Sequence, residues 1–214
     1  MPIKKMLEEN GYPFKSKVFA KNLNMYQRLG KTKTVRVFLG EEADNNGEYR
    51  TGMFSCPAKL KYLFSEKNKL KINDVCCSKL KKEPSKKWAK ENNKKITITG
   101  MRKEEGGSRL MLGCITNKGT KFNPLVVVSE EFEEWFIKTY NIEICKLYLP
   151  PFNFKRTGCK GCPFALNLQK DLDVMEKYLP AERKQCEIIW KPVYDEYRRI
   201  NYRLKDNIQE KLDI

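Results

Sequence analysis

The sequence predicts an α/β protein rich in helix. Three observations carry this. Apolar residues recur at helical spacing in several segments, among them 16–29, 166–179 and 182–204. One segment, 95–100 (K-I-T-I-T-G), is β-branched and closed by glycine, as a strand would be. Hydrophobic residues make up 40% and aromatics 11% of 214 residues, enough for a folded core.

Residues 1–10 read as a short amphipathic helix with Ile3, Met6 and Leu7 on one face, ended by Gly11-Tyr12-Pro13. The next helix, 16–29, takes Ser16 as N-cap and Val18, Phe19, Leu23 and Tyr26 as its stripe. Segment 32–39 suits a strand or a helix, 41–52 is a polar loop, and 57–64 is helical. A helix starting near Asp74 puts Cys76 and Cys77 in its first turn, where free backbone N–H groups favour negative charge. Residues 85–92 form another short helix. The strand 95–100 is followed by the charged loop M-R-K-E-E-G-G-S-R, at the end of a parallel strand where ligands bind. Helix 129–140 has Ser129 as N-cap and a stripe of Phe132, Trp135 and Phe136 expected to be buried. Pro150-Pro151 breaks the chain before the last two helices. In the second of these, Ile188, Trp190, Tyr194, Tyr197 and Ile200 read as core or docking surface.

Lys and Arg number 43 against 27 Asp and Glu, a formal charge of +16. That excess suits a polyanion such as nucleic acid or a polyphosphorylated nucleotide, or equally a lysine-rich proteome. The lysines are spread rather than blocked. The longest apolar run, 124–128, is far too short for a membrane span, so no membrane is expected as partner.

The eight cysteines carry the chemistry. Cys76 and Cys77 are adjacent, and Cys159 and Cys162 form Cys-x-x-Cys, which sets two thiols on one tight turn. With no histidine in the chain, a soft-metal site must be built mainly from thiolates. Neighbouring thiolates reach two irons of one cluster more readily than they serve one tetrahedral ion. These four residues therefore read as ligands of a [4Fe–4S] cluster, with zinc as the alternative. Cys56, Cys114, Cys145 and Cys186 read as small buried residues. A disulfide framework is not expected in a chain of this size that reads as cytoplasmic.

Five segments in order, G-Y-P-F-K-S-K (11–17), C-C-S-K-L-K-K-E-P (76–84), I-T-G-M-R-K-E-E-G-G-S-R (98–109), F-N-P-L (122–125) and R-T-G-C-K-G-C-P-F (156–164), resemble the phosphoadenosine phosphosulfate (PAPS) reductase family. The resemblance is to its members in phages and mobile elements of Gram-positive bacteria. It implies an adenine-nucleotide α-hydrolase-like fold, a parallel sheet flanked by helices. Residues 1–165 would be a partial family domain and 166–214 a helical extension packed on it. It further implies a [4Fe–4S] cluster on Cys76, Cys77, Cys159 and Cys162, and a bridging role for Lys81 between cluster and substrate. Arg102 and Arg109 would be the loop arginines that face sulfate or phosphate. Planar guanidinium groups suit that task on chemical grounds as well. Glu104 and Glu105 would orient them.

Two departures from the family pattern shape the expected function. The S-G-G-x-D-S phosphate loop has no counterpart, and Met1 stands near the end of the family's third strand. The expectation is a domain truncated at its N-terminus, completed by a separate nucleotide-binding half or a homo-oligomer. The late cysteine nucleophile, in a segment like E-C-G-L-H, is also missing; Cys186 lies inside a helix instead. This shifts weight from adenylyl-sulfate reduction toward ATP-dependent sulfur transfer. The expected substrates are an adenine nucleotide or sulfonucleotide. The competing reading is a non-enzymatic Fe–S or zinc module that binds nucleic acid or a partner protein.

Overall fold

Capping residues set the first three helices of the computed structural model, which describes residues 2–155 and 157–205. Helix α1 (Ile3–Asn10) buries Met6 and Leu7 and stops at Gly11, whose φ is +99°. A Cβ at Gly11 would stand 3.1 Å from the Lys71 carbonyl oxygen, so glycine answers both the backbone angle and the close approach. Helix α2 (Lys17–Leu29) begins as expected, with Ser16 Oγ accepting the Phe19 N–H at 3.2 Å. Helix α3 (Lys33–Leu39) settles the strand-or-helix ambiguity of that segment; Thr32 caps it and Val35, Val37, Phe38 and Leu39 are buried. The segment expected to be helical near 57–64 is a 3-10 helix, Ala58–Leu63.

The chain divides into two compact units. Unit 1 joins Met1–Lys81 to Leu149–Ile214; unit 2 is Lys82–Tyr148. Contacts thus group the N-terminal and C-terminal segments in one unit. In unit 1, helices α6 (Leu168–Tyr178) and α7 (Pro180–Arg199) pack with the N-terminal helices around one apolar core. Phe14, Phe19, Phe38, Phe64 and Tyr197 form its aromatic centre, with the Phe14 and Tyr197 rings 4.7 Å apart. Trp190, Tyr194 and Tyr197 are core, as the sequence allowed. Ile188 is not; it is 53% exposed, because its position on α7 falls outside the 190–194–197 stripe.

The chain is helical over 76–91. This stretch opens with Cys76 and Cys77, becomes a π-helix over Ser78–Lys82, and returns to α-geometry as α4 (Glu83–Glu91). Pro84 accounts for the wide turn: it has no N–H to give, and its ring would strike the Leu80 carbonyl in a regular α-helix.

The mixture of helix and strand is α/β as expected, and the strands lie in unit 2. In place of a helix-flanked parallel sheet, the described residues hold a three-stranded mixed sheet of two-residue strands. Strands β1 (Thr97–Ile98), β2 (Ile115–Thr116) and β3 (Lys121–Phe122) lie in the order β1-β3-β2, β1 parallel and β2 antiparallel to β3. The β2–β3 hairpin turns through Asn117, Lys118 and Gly119, all at positive φ, which dictates the antiparallel pairing. Segment 95–100 is a strand only at its centre, and Ile96 and Ile98 are more than half exposed. The β-branched pattern fixed strand type but not burial, which depends on what covers the sheet.

Helix α5 (Glu130–Thr139) is capped by Ser129 as expected. Its stripe is not buried: Phe132, Trp135 and Phe136 are 50%, 52% and 43% exposed. They stack on one another and on Tyr140 instead. Periodicity identified the apolar face correctly, but burial needs a partner surface that unit 2 does not supply. Cys114 and Cys145, expected to be buried, are exposed for the same reason, whereas Cys56 and Cys186 are buried as anticipated.

Candidate metal centre

The Cys-x-x-Cys turn is held by its own short hydrogen bonds and by the last helix. Within the turn, Cys162 N–H donates to Cys159 O at 3.0 Å and Ala165 N–H to Cys162 O at 2.8 Å. Behind it, α7 offers three aromatic donors at helical spacing. Trp190 Nε1–H donates to Lys160 O at 2.9 Å, Tyr194 O–H donates to Gly161 O, and Tyr197 O–H donates to Pro163 O at 3.0 Å. Arg203 adds a second donor to Pro163 O at 2.6 Å. Tyr197 Oη also accepts the Lys15 N–H at 2.7 Å, tying G-Y-P-F-K-S-K to R-T-G-C-K-G-C-P-F through one buried hydroxyl.

Gly161 makes this approach feasible. Its φ is +61°, and a Cβ there would lie 2.5 Å from Tyr194 Oη and 2.6 Å from Cys186 Sγ. Cys186 is thus a packed residue under the turn. Burial pushes its thiol up, away from thiolate character, which does not suit a nucleophile.

The four predicted cysteine ligands all lie in unit 1, and their thiols interact. Burial, then Cys77 and Cys162, push the Cys76 thiol up to about 12. The Cys162 thiol is raised by burial and by Cys159 and Cys77, against the opposing pull of the Phe164 N–H and of Lys81. Cys76 is buried and the other three are half-buried. Among the described residues, no three Cys, Asp or Glu side chains stand in an arrangement that holds a metal ion. The four thiols share one electrostatic neighbourhood without enclosing a single point. As a donor set, four sulfurs with no nitrogen partner fit iron–sulfur or zinc chemistry. Lys81 lies on the π-turn, exposed, close enough to lower the Cys162 thiol.

Arg102 and Arg109 lie in unit 2, on a loop of two 3-10 turns, Lys103–Glu105 and Gly107–Arg109. Arg102 Nη1 pairs with Glu133 Oε2 at 2.7 Å and Arg109 Nη1 pairs with Glu105. Glu105 also accepts the Arg102 N–H at 3.1 Å, and Glu104 accepts the Glu130 N–H at the start of α5. The two glutamates therefore organise the loop around its arginines. Glu133, which sequence reasoning passed over, is the principal partner of Arg102. Asn123 of F-N-P-L was likewise missed: its amide donates to Gly113 O at 2.8 Å and accepts from Thr99 Oγ1 at 2.5 Å.

A family model described as phosphoadenosine phosphosulfate reductase domain matches residues 56–165, just over half of the chain. The chain belongs to this family. No curated protein and no solved structure matches it. The span that matches the PAPS reductase domain contains Cys76, Cys77, Lys81, Arg102, Arg109, Cys159 and Cys162. It leaves out α1–α3 and the whole of α6 and α7, so the helix that grips the Cys-x-x-Cys turn of this PAPS reductase-family chain is supplied from outside it. No described helix is long and apolar enough to cross a membrane.

Helix α7 carries its own acid-sensitive lock. Burial would raise the Glu187 carboxyl, but hydrogen bonds from Arg198 and Arg183 outweigh it and hold the group below its ordinary value. A depressed carboxylate stabilises the fold above its unfolded pKa, about 4.3, and that contribution is lost as pH falls below it. Glu187→Gln should therefore lower thermal stability at pH 7 and flatten its decline between about pH 5 and 3. An unchanged acid profile in this variant would exclude the role.

Proposed function

We propose that this PAPS reductase-family chain binds a [4Fe–4S] cluster through Cys76, Cys77, Cys159 and Cys162, and serves sulfonucleotide reduction or ATP-dependent sulfur transfer. The observation that supports the reading is that thiols from two segments distant in sequence act on one another: Cys77 and Cys162 raise the Cys76 thiol, and Cys159 and Cys77 raise that of Cys162, which Lys81 opposes. The all-sulfur donor set fits an iron–sulfur cluster or zinc, and the adjacent pair supports a cluster over one ion. When bound, such a cluster supplies a redox centre or a fixed charge near the substrate anion. The chain's own groups do the rest. The Lys81 ammonium supplies positive charge near the Cys162 thiol. Arg102 and Arg109, held by Glu133 and Glu105, are the planar forks suited to sulfate or phosphate. Loading requires the raised thiols to lose their protons and turn toward a common centre.

The test is anaerobic purification followed by iron, sulfide and zinc analysis, repeated with each of the four cysteines changed to serine. About four irons and four sulfides per chain, lost in every variant, is the expected result. One zinc per chain would favour the second reading, a structural metal module that binds nucleic acid. The formal charge of +16 is what favours that alternative, and salt-sensitive DNA or RNA retention is its signature.

A further inference from the structure

We infer that Trp190, Tyr194 and Tyr197 of α7 are positioning residues for the metal centre, setting the Cys159 and Cys162 thiols by gripping the backbone between and beside them. The inference rests on the cluster reading above. Its basis is a set of contacts more specific than packing requires. The three side chains fall at i, i+4 and i+7, one face of the helix. Each directs a hydrogen bond to a different carbonyl of one four-residue stretch: Lys160, Gly161 and Pro163. Two of those carbonyls lie between the two ligand cysteines and the third follows Cys162 directly. Tyr194 and Tyr197 are fully buried and Trp190 is 2% exposed, so these bonds are shielded from competing water. Gly161 admits no side chain where the helix approaches, and Cys186 fills the space behind it.

Two independent features make the grip directional. The turn's own bonds join Cys159 to Cys162 and Cys162 to Ala165, and Arg203 reaches Pro163 O, whereas the Lys160 and Gly161 carbonyls between the two cysteines take their hydrogen bonds from α7. Tyr197 is itself anchored by the Lys15 N–H and by ring contact with Phe14, so the clamp is braced by the N-terminal segment. Partners that orient metal ligands are worth about 10–100-fold in metal affinity. Here that role falls to backbone carbonyls and three aromatic side chains from outside the family-matched residues.

The experiment compares Tyr194→Phe with Glu187→Gln in the full chain, after anaerobic reconstitution with ferrous iron and sulfide. Tyr194→Phe keeps the ring and removes the bond to Gly161 O. Glu187→Gln weakens α7 through Arg183 and Arg198 and serves as the control for general destabilisation. The rate at which a chelator strips iron is measured, with the electron paramagnetic resonance spectrum of the reduced protein. Expected are iron loss about 10-fold faster in Tyr194→Phe than in the parent chain, an altered spectrum, and near-parental values in Glu187→Gln. Equal rates and spectra in Tyr194→Phe and the parent would overturn the inference. Equal acceleration in both variants at matched thermal stability would also overturn it, by reducing the clamp to fold stability. Failure of the parent chain to retain iron, or retention unaffected by the Cys→Ser changes, would overturn the cluster reading and this inference with it.

Discussion

Gly161→Ala should lower the stability of unit 1 by about 2–5 kcal/mol and loosen the Cys-x-x-Cys turn. Two effects add. A Cβ at φ +61° meets the left-handed penalty of an L-residue, about 1–2 kcal/mol. The same atom would stand 2.5 Å from Tyr194 Oη and 2.6 Å from Cys186 Sγ, both on a buried face of α7. Overpacking of that kind costs about 1–3 kcal/mol. The side chains cannot swing away freely, because Tyr194 is fully buried and bonded to the very residue being changed. Urea unfolding followed by far-ultraviolet circular dichroism measures the loss. Adding Cys186→Ala to Gly161→Ala should restore part of it by opening space beneath the turn. A single variant as stable as the parent would show that α7 does not press on the turn.

Asn123→Ala should unravel the small sheet of unit 2. Its side chain is fully buried and ties three strand-region segments together. Its amide donates to Gly113 O, its carbonyl oxygen accepts the Thr99 hydroxyl, and its backbone N–H donates to Cys114 O at 2.7 Å. Alanine leaves the Thr99 hydroxyl and the Gly113 carbonyl without that partner, at about 1–3 kcal/mol each. The strands have little to offset this, being two residues long with Ile98 and Ile115 largely exposed. Hydrogen exchange checks it. The Thr97 and Thr99 amides, which bond to Thr120 O and Phe122 O at 2.9 Å, should lose protection while the α7 amides keep theirs. Retained protection at Thr97 and Thr99 would refute the knot assigned to Asn123.

The sequence was most informative where structure is local. Ser16 and Ser129 marked helix starts through a hydroxyl oxygen that accepts a first-turn N–H, and Gly11 marked a stop through the backbone angle that it accepts, whereas Thr32 caps a segment that its own pattern left between strand and helix. The cysteine pair at a helix opening and the Cys-x-x-Cys turn were readable from spacing alone. The Arg102 loop was readable from its glutamates, although Glu133 lay beyond any local signal. Burial was less legible. Phe132, Trp135 and Phe136 read as a buried stripe, and Cys114 and Cys145 as core residues, yet all five are exposed. An apolar face records that a helix can be buried, while burial itself depends on whether another surface arrives.

The sequence by itself determined the helix starts at Ser16 and Ser129, the two cysteine pairs of a chain without histidine and the basic character of the chain, because each follows from neighbouring residues or from composition. The tertiary structure alone decided that the two ends of the chain share one core, where Phe14 meets Tyr197. It also decided that four thiols from distant segments interact, and that a C-terminal helix grips the turn between two of them. Those are non-local contacts. Their geometry is set by how helices pack around a common apolar centre, and no spacing along the chain encodes it.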